Sequence, residues 1–281
     1  MATSDGRILI TGGTGKTGRR IAQRLEADGI SVRIGSRSGR PPFDWEDRAT
    51  WAPALDGATA AYLSCFPDLA VPGAAETVGE FAELAVAGGV RRLVLLSGRG
   101  EEEAGRAERI VQAAGADWTV VRSAFFAQNF SESFLLGPIL AGEVALPVDG
   151  MPEPFVDVED VADVAAAALT EDGHAGRVHE VTGPRLLTFA DAVAEVAEAA
   201  GRPVRYQAVP VAPWAAELAG HGLPPELVGL MTYLFTEVMD GRNAQLAGGV
   251  QQALGRPPRD FGEYARRAAA EGAWAGVPAG R

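Results

Sequence analysis

Cysteine and histidine are scarce in this sequence, and their scarcity limits the kinds of site that it can contain. The 281 residues include one cysteine, Cys65, and three histidines. A single cysteine cannot form an internal disulfide, and the histidines show no ligand spacing with it. We therefore expect no metal site in this chain.

Long apolar runs are also missing. No stretch approaches the roughly 18 consecutive apolar residues of a membrane span, and residues 1–6 are polar, unlike the start of a signal peptide. Hydrophobic residues nevertheless make up 47% of the chain, which is enough for a packed core. We expect a soluble cytoplasmic protein without a membrane partner.

Positive charge is in the minority, with 25 basic against 37 acidic residues and a net charge of -12. Such a chain repels a phosphate backbone unless it has a concentrated basic patch, and the sequence shows none. We therefore expect no nucleic-acid partner. All basic residues are arginine except Lys16. A mechanism that needs a lysine anywhere else in the chain is therefore excluded.

Strand-like and helix-like segments alternate through the first two thirds of the chain. This alternation predicts an α/β fold, a doubly wound parallel sheet of Rossmann type with helices on both faces. The predicted strands are 7–11, 31–35, 58–63, 91–96 and 118–122, with a short one near 43–44. The clearest predicted helices follow the first strand as far as Glu26 and cover 74–87, and Asp160 and Thr188 are expected to cap two more.

From about Gly183 onward the alternation ends, and helices punctuated by prolines predominate. This change predicts a smaller, mainly helical C-terminal lobe. We assign residues 1–182 to an NAD(P)-binding Rossmann-type domain and residues 183–281 to a smaller substrate-binding lobe packed on it.

The segment TGGTGKTG, residues 11–18, carries the main functional motif. Gly13, Gly15 and Gly18 fit G-x-G-x-x-G, while Gly12, Gly15 and Gly18 fit G-x-x-G-x-x-G. The segment lies between a predicted strand and a predicted helix, the context in which such glycines bind a dinucleotide. A tight turn and a close approach of the backbone to a pyrophosphate both favour glycine, and the helix N-terminus offers free N–H groups.

Thr14, Lys16 and Thr17 add possible donors to the same turn. GTGKT also resembles the end of a Walker A motif, but that motif requires glycine where this chain has Ile10. The sequence therefore favours dinucleotide binding over nucleotide hydrolysis.

The end of the second predicted strand bears on the choice of cofactor. NAD-binding domains place Asp or Glu about 20 residues past the turn, whereas NADP-binding domains place an arginine nearby. Here Ser36 and Arg37 end the strand, Arg40 follows, and no acid stands there. We predict NADPH as the cofactor, with Ser36 and Arg37 at its 2′-phosphate.

Several segments together resemble the NmrA-like, atypical short-chain dehydrogenase/reductase family, including NADPH-dependent quinone oxidoreductases. They are TGGTGKTG, the Ser36-Arg37 pair, and residues 62–68, 94–100, 118–130, 154–169 and 240–266. The resemblance implies that Ser64, Phe66 and Ser97 border the nicotinamide end of the cofactor. It further implies that residues 122–129 line the cleft and that the C-terminal lobe covers the substrate.

The chain departs from the family pattern at the catalytic pair. Typical members have a tyrosine with a lysine four residues later, and none of the four tyrosines here has one. Ser97 remains a weak catalytic candidate, because an isolated serine is a poor acid. A quinone needs such a pair less than a ketone does, since solvent or a hydrogen-bond donor can protonate the reduced oxygens.

Aromatic residues of the later chain could form a wall for a planar substrate. We select Phe125, Asn129 and Trp214 as substrate-binding residues, with a helix cap as the alternative role for Asn129. Capping also explains Asp160 better than acid/base chemistry with Asp157 does. Residues 101–103 are interpreted as an acidic first turn of a helix, and Cys65 as a small buried apolar residue.

Three functions remain open at this point. The first is an NADPH-dependent oxidoreductase that reduces a quinone or a related enone or aromatic carbonyl compound. The second is a non-catalytic NADP(H) sensor that binds a partner protein, as the founding NmrA members do. The third is an NADPH-using tailoring enzyme for a polycyclic aromatic in secondary metabolism. A homo-oligomer is left open.

Overall fold

The computed structural model of this chain describes residues 6–275. The strands are β1 (Arg7–Thr11), β2 (Val32–Gly35), β3 (Ala58–Leu63), β4 (Arg92–Gly98), β5 (Asp117–Ser123), β6 (Glu143–Leu146), β7 (Arg177–Val181) and β8 (Arg205–Ala208). The first helices are α1 (Lys16–Ala27), α2 (Trp51–Leu55), α3 (Ala74–Ala87), α4 (Glu102–Ala113), α5 (Asn129–Glu132) and α6 (Leu136–Ala141). The later ones are α7 (Val158–Thr170), α8 (Phe189–Ala200), α9 (Val211–Gly220), α10 (Pro225–Tyr233), α11 (Gly249–Leu254) and α12 (Phe261–Ala270).

Contacts divide the chain into two compact units, and each unit is discontinuous in sequence. The first comprises Met1–Ser123, Val158–Val181 and Gly248–Pro257. The second comprises Ala124–Asp157, Thr182–Ala247 and Pro258–Arg281. The predicted boundary between two domains after residue 182 stays a prediction. In the contact-based division, residues 124–157 belong to the same unit as most of the later part of the chain.

The first unit holds a six-stranded parallel sheet in the order β2-β1-β3-β4-β5-β7. After β1 the chain forms β2 on one side of β1, and it then crosses over to form β3 on the other side of β1. The strand order therefore reverses between β1 and β3, which is where ligands bind in open α/β sheets, beyond the carboxyl ends of the strands. This confirms the predicted fold class.

Each face of this sheet is covered by helices. Leu9, Leu63 and Leu95 belong to a core cluster with α3 residues such as Phe81. Side chains alternate along a strand, so Ile10, next to Leu9 in β1, points to the opposite face of the sheet. On that face α1 and α7 pack against each other. Both faces are therefore buried, as expected of a parallel sheet.

The second unit contains a two-stranded parallel sheet, in which β6 pairs with β8. Its core is rich in aromatic side chains, including Phe130, Phe155 and Phe189. Thr188 caps α8 with a full capping box, in which Asp191 donates its backbone N–H to the Thr188 hydroxyl and its carboxylate accepts from the Thr188 N–H. This confirms the predicted cap. Within residues 6–275, no helix is both long and apolar enough to cross a membrane.

Two local predictions were wrong. Residues 43–44 form no strand, because Phe43 is buried by edge-to-face packing on Trp45 and Phe81 and not by pairing with a strand. Asp160 does not cap a helix, since it lies inside the first turn of α7, and its fully buried carboxylate accepts a hydrogen bond from Arg256 at 2.7 Å.

Candidate functional site

The glycine-rich turn connects β1 to the N-terminus of α1. Gly12 has a φ of 61°, which is costly for any residue with a Cβ. Gly15 occupies the cap position of α1, so no side chain caps the first-turn N–H groups. These groups can therefore bind an anion such as a pyrophosphate.

Two further glycines in the turn are required by packing. A Cβ on Gly18 would stand 2.3 Å from the Gly12 carbonyl oxygen, and one on Gly13 would stand 2.9 Å from the Ile10 carbonyl oxygen. The start of α1 is therefore in direct contact with the turn backbone. Close packing of helix against strand is one of the roles that glycines have in dinucleotide-binding turns.

The end of β3 lies beside this turn. The Ser64 N–H donates to the Thr11 hydroxyl at 2.8 Å, and the Trp45 indole N–H donates to the Ser64 carbonyl at 2.8 Å. A Cβ on Gly12 would come within 3.3 Å of the Ser64 side chain. The structure thus brings Ser64 to the glycine turn, at the position where the strand order reverses.

The predicted donors of the turn differ in accessibility. Thr14 is exposed and Lys16 is partly exposed, whereas Thr17 is buried. Thr17 is one of the buried residues of α1. Thr14 and Lys16 therefore fit an anion-binding role better than the Thr17 side chain does.

Arg37 and Phe66 form a pair just beyond β2 and β3. The Arg37 guanidinium lies 5.3 Å from the centre of the Phe66 ring, a cation–π distance. Arg37 is exposed, and Phe66 keeps 60% of its surface exposed. The Ser36 hydroxyl lies 3.4 Å from that of Ser38. The structure therefore places a cation and an exposed ring together at the strand ends.

Ser97 belongs to a buried charged network and not to an open surface. Its hydroxyl donates to the Glu108 carboxylate at 2.6 Å. Arg122 donates to the same carboxylate and to Glu180, and these contacts raise the pKa of Arg122. Because its proton is already donated, Ser97 is poorly placed to act as an acid, and the geometry does not favour its catalytic role.

A second group of charges, which the sequence did not single out, lies at the ends of β3 and β4. Asp68 follows β3, Glu101 follows β4, and Lys16 begins α1. Burial raises the pKa of Asp68 while its hydrogen bonds to the Ala70 and Leu69 N–H groups and the positive charge of Lys16 oppose the rise. Burial, followed by the negative charges of Asp68 and Glu108, raises the pKa of Glu101 well above its ordinary value.

The acidic first turn of α4 is confirmed, but its residues are not equivalent. Glu102 is exposed, and Glu103 accepts a hydrogen bond from the Gly73 N–H at 3.2 Å. Glu101 stands at the cap position without capping the helix. No pattern in the sequence distinguishes it from its two neighbours.

The selected aromatic residues belong to the second unit. The Phe125 and Trp214 rings both pack on Phe235, with centroids 6.3 Å and 5.4 Å from it. Trp214 is only 6% exposed, while Phe125 is partly exposed and Phe134, which packs on it, is 39% exposed. The second unit therefore brings Phe125 and Trp214 into one aromatic cluster around Phe235, in which Trp214 is more deeply buried than Phe125.

Asn129 begins the short helix α5 and is partly exposed. It lies within the helix and not at the cap, so the alternative capping role was wrong. Next to it, Gln128 donates to the buried Asp157 at 2.7 Å, and Arg267 donates to the other Asp157 oxygen at 2.5 Å. Asp157 therefore has a structural role as the acceptor of two side chains.

Neither a metal site nor a reactive thiol is apparent in the described part of the chain. Residues 6–275 contain no group of three His, Cys, Asp or Glu side chains arranged to hold a metal ion. Burial and the nearby Asp68 raise the pKa of Cys65 to about 12. Its thiol is therefore protonated at neutral pH and is a poor nucleophile.

Similar sequences include two enzymes that match nearly the whole chain. One is a (4-alkanoyl-5-oxo-2,5-dihydrofuran-3-yl)methyl phosphate reductase of Streptomyces griseus, 34% identical over 92% of this chain and 96% of its own length. The other is an agroclavine dehydrogenase of Claviceps fusiformis, 31% identical over 92% of this chain and 95% of its own length. A scan against family models found no match.

Solved structures share the fold. The Citrobacter triphenylmethane reductase complexed with NADP(H) has a TM-score of 0.75 at 18% identity, covering 93% of this chain and 99% of its own. The Escherichia coli NADPH-dependent quinone oxidoreductase has a TM-score of 0.74 at 23% identity, covering 92% and 99%. NmrA, a negative transcriptional regulator in complex with NAD, has a TM-score of 0.69 at 17% identity, covering 95% and 98%.

Proposed function

Because this chain belongs to the NmrA-like, atypical short-chain dehydrogenase/reductase family of NAD(P)H-dependent oxidoreductases and related regulators, we propose that it is an NADPH-dependent reductase. Its proposed substrate is a quinone or a related enone or aromatic carbonyl compound. The glycine turn at the start of α1, with exposed Arg37 at the end of β2, is the observation that carries this proposal.

The turn fits a dinucleotide in its backbone geometry. Gly12 adopts the left-handed conformation, Gly18 leaves no room for a side chain, and Gly15 leaves the first-turn N–H groups without a side-chain cap. These residues would hold the pyrophosphate, together with Thr14 and Lys16.

Arg37 supports the phosphorylated form of the cofactor. Its guanidinium is exposed beyond β2, where an NAD-specific domain places a carboxylate on the ribose. A charge-assisted hydrogen bond from arginine to the 2′-phosphate is the interaction that separates NADPH from NADH. The ring of Phe66, which lies against Arg37, would contact the same end of the cofactor.

The proposed substrate class follows from the missing Tyr/Lys pair and from the relatives. When bound, the nicotinamide supplies a hydride, and a conjugated acceptor can take it without a strong acid at its oxygen. The name of the Streptomyces relative describes a ring alkene conjugated to carbonyl groups, which is an acceptor of this kind. We propose that Phe125, Asn129 and Trp214 contact the substrate.

A second candidate is a sensor of NADP(H) without turnover. Two observations favour it, because both leave the site without an obvious proton donor. The Ser97 hydroxyl already donates its hydrogen bond to Glu108, and the sequence has no Tyr/Lys pair. A tailoring enzyme for polycyclic aromatics would use the same turn and the same aromatic cluster, and differs from the main proposal only in its substrate.

The decisive experiment is a fluorescence titration with NADPH and NADH, followed by a panel of quinones and enones with absorbance of the reduced nicotinamide as the readout. We expect NADPH to bind more tightly and to be oxidised when an acceptor is present. Arg37→Ala should weaken NADPH binding about tenfold and leave NADH binding unchanged. Arg40→Ala, which removes an exposed arginine nearby, is the matched control.

Three outcomes would contradict parts of this proposal. Binding without turnover across the panel would favour the sensor. Equal affinity for NADPH and NADH would refute the cofactor assignment. A loss of affinity in Arg40→Ala as large as in Arg37→Ala would show that neither arginine has a specific role at the phosphate.

A further inference from the structure

The Glu101 carboxyl group occupies an unusual position at the carboxyl end of β4. A Cβ on Gly98 would stand 2.0 Å from one Glu101 oxygen and 2.4 Å from the other. The carboxyl group therefore lies directly on the Cα of Gly98, in space that any other residue at position 98 would fill. It turns back over the strand end instead of capping α4.

The structure gives this carboxyl group no hydrogen-bond partner among residues 6–275. This is unlike Glu103, which accepts from the Gly73 N–H, and Glu108, which accepts from Ser97 and Arg122. A carboxyl group that has no partner in the fold has its oxygens available to hydrogen-bond another molecule.

Three other proton-bearing side chains of the first unit, those of Ser97, Tyr62 and Cys65, are poor donors. The Ser97 hydroxyl donates to Glu108. Tyr62, the one tyrosine in this unit, is completely buried, and burial raises the pKa of its hydroxyl. The Cys65 thiol holds its proton up to a pKa of about 12. Of the two acids at the strand ends, Asp68 accepts a hydrogen bond from the Ala70 N–H, whereas the Glu101 carboxyl group is the one without such a partner in the described chain.

Burial first, and then the charges that face Glu101, favour the protonated form of its carboxyl group. Asp68, from the segment after β3, and Glu108, from α4, both place negative charge near it and raise its pKa. Lys16, from α1, acts on Asp68 and favours its charged form. Burial raises the pKa of both carboxyl groups, but hydrogen bonds and Lys16 oppose the rise only at Asp68, so the protonated form is favoured more strongly at Glu101.

We propose that Glu101 is the proton donor of this reductase, taking the role of the missing Tyr/Lys pair. The inference rests on the proposed function. The substrate gains a hydride, with its two electrons, from the cofactor, and a quinone oxygen gains the proton as the O–H bond of Glu101 breaks. The Glu101 carboxylate then regains a proton from water, and the net products are the hydroquinone and the oxidised cofactor.

The first test needs no turnover. The full-length protein is labelled with glutamate carrying ¹³C at the side-chain carboxyl carbon, and its resonances are followed by NMR from pH 4 to 9. We expect one resonance to titrate well above the others, to disappear in Glu101→Gln and to persist in Glu102→Gln. A set of glutamates that all titrate in the ordinary range would overturn the proposal.

The second test measures single-turnover oxidation of bound NADPH by a quinone. Removal of a general acid typically costs a factor of about 10² to 10⁴, so Glu101→Gln should slow this step at least about a hundredfold with an unchanged Kd for NADPH. Glu101→Asp should recover part of the rate, and Glu102→Gln should retain all of it.

The two proposals fail in different ways. If the wild-type protein reduces quinones and Glu101→Gln is equally fast, the donor role of Glu101 is refuted and the reductase stands. If the wild-type protein reduces no acceptor, the proposed function fails, and the donor role fails with it.

Discussion

Replacement of Gly18 by alanine is the sharpest test of the proposed phosphate-binding role of the glycine turn. The added Cβ would stand 2.3 Å from the Gly12 carbonyl oxygen and 2.8 Å from the Cα of Gly13, whereas ordinary contacts begin near 3.4 Å. The obstacle is backbone and cannot rotate away as a side chain can. The turn and the start of α1 must therefore separate by roughly 1 Å, in an interior packed too closely to absorb it.

The magnitude follows from this displacement. Overpacking of a tight site costs typically about 1–3 kcal/mol, and the displaced backbone includes the N–H groups that would face the pyrophosphate. If the same free energy is lost from binding, the Kd for NADPH rises by about 5- to 150-fold. We expect both a lower free energy of unfolding and weaker NADPH binding in Gly18→Ala.

Gly105→Ala is the matched control, because Gly105 lies within α4 of the same unit and its nearest obstacle is the end of the Arg109 side chain at 3.8 Å. Alanine is favoured over glycine inside a helix by about 0.5–1 kcal/mol, so this variant should be slightly more stable. Urea unfolding and fluorescence titration measure both effects. A Gly18→Ala protein that unfolds and binds NADPH like the wild type would refute the reasoning.

Two further predictions concern buried polar groups of the first unit. The rings of His174 and His179 lie 3.1 Å apart, nitrogen to nitrogen, and burial, then the neighbouring His174 and Arg177, lower the pKa of His179 to about 4. Because the unfolded chain binds a proton near pH 6.5 and the folded chain does not, stability is complete above pH 6.5 and falls as the pH drops toward 4. The loss is at most about 3 kcal/mol; urea unfolding at several pH values should show it, and a slope that is no smaller in His179→Gln would contradict the assignment. Ser97→Ala leaves the buried Glu108 without one donor and should cost about 1–3 kcal/mol of stability without changing the Kd for NADPH. A stable variant that has lost turnover would instead restore Ser97 as a catalytic residue.

The sequence predicted those parts of the fold whose signals are local. The bounds of β1, β3 and α3 agree with the prediction residue for residue, because the two strands are short apolar runs and α3 is bounded by Gly73 and Gly88. The strands β6, β7 and β8 were missed. Glu143 pairs with Arg205, 62 residues away, and a four-residue segment has too little periodicity to indicate such a partner.

The same distinction applies to the candidate site. The glycine turn is contiguous, so its spacing could be interpreted directly, although the binding roles of its residues stay predictions. Glu101, Asp68 and Lys16 come from three separate segments, and only the sheet topology brings them to one edge. The sequence interpretation gave Glu101 the same role as Glu102 and Glu103 for this reason.

Residues 248–257 belong to the first unit although they come near the end of the chain. There Arg256 donates to Asp160 and Asp163, and Asp163 in turn accepts from Arg24 of α1. During synthesis on the ribosome, the segment that carries this arginine is made only after residues 1–247. The first unit therefore cannot reach its final set of ion pairs until translation has passed residue 257.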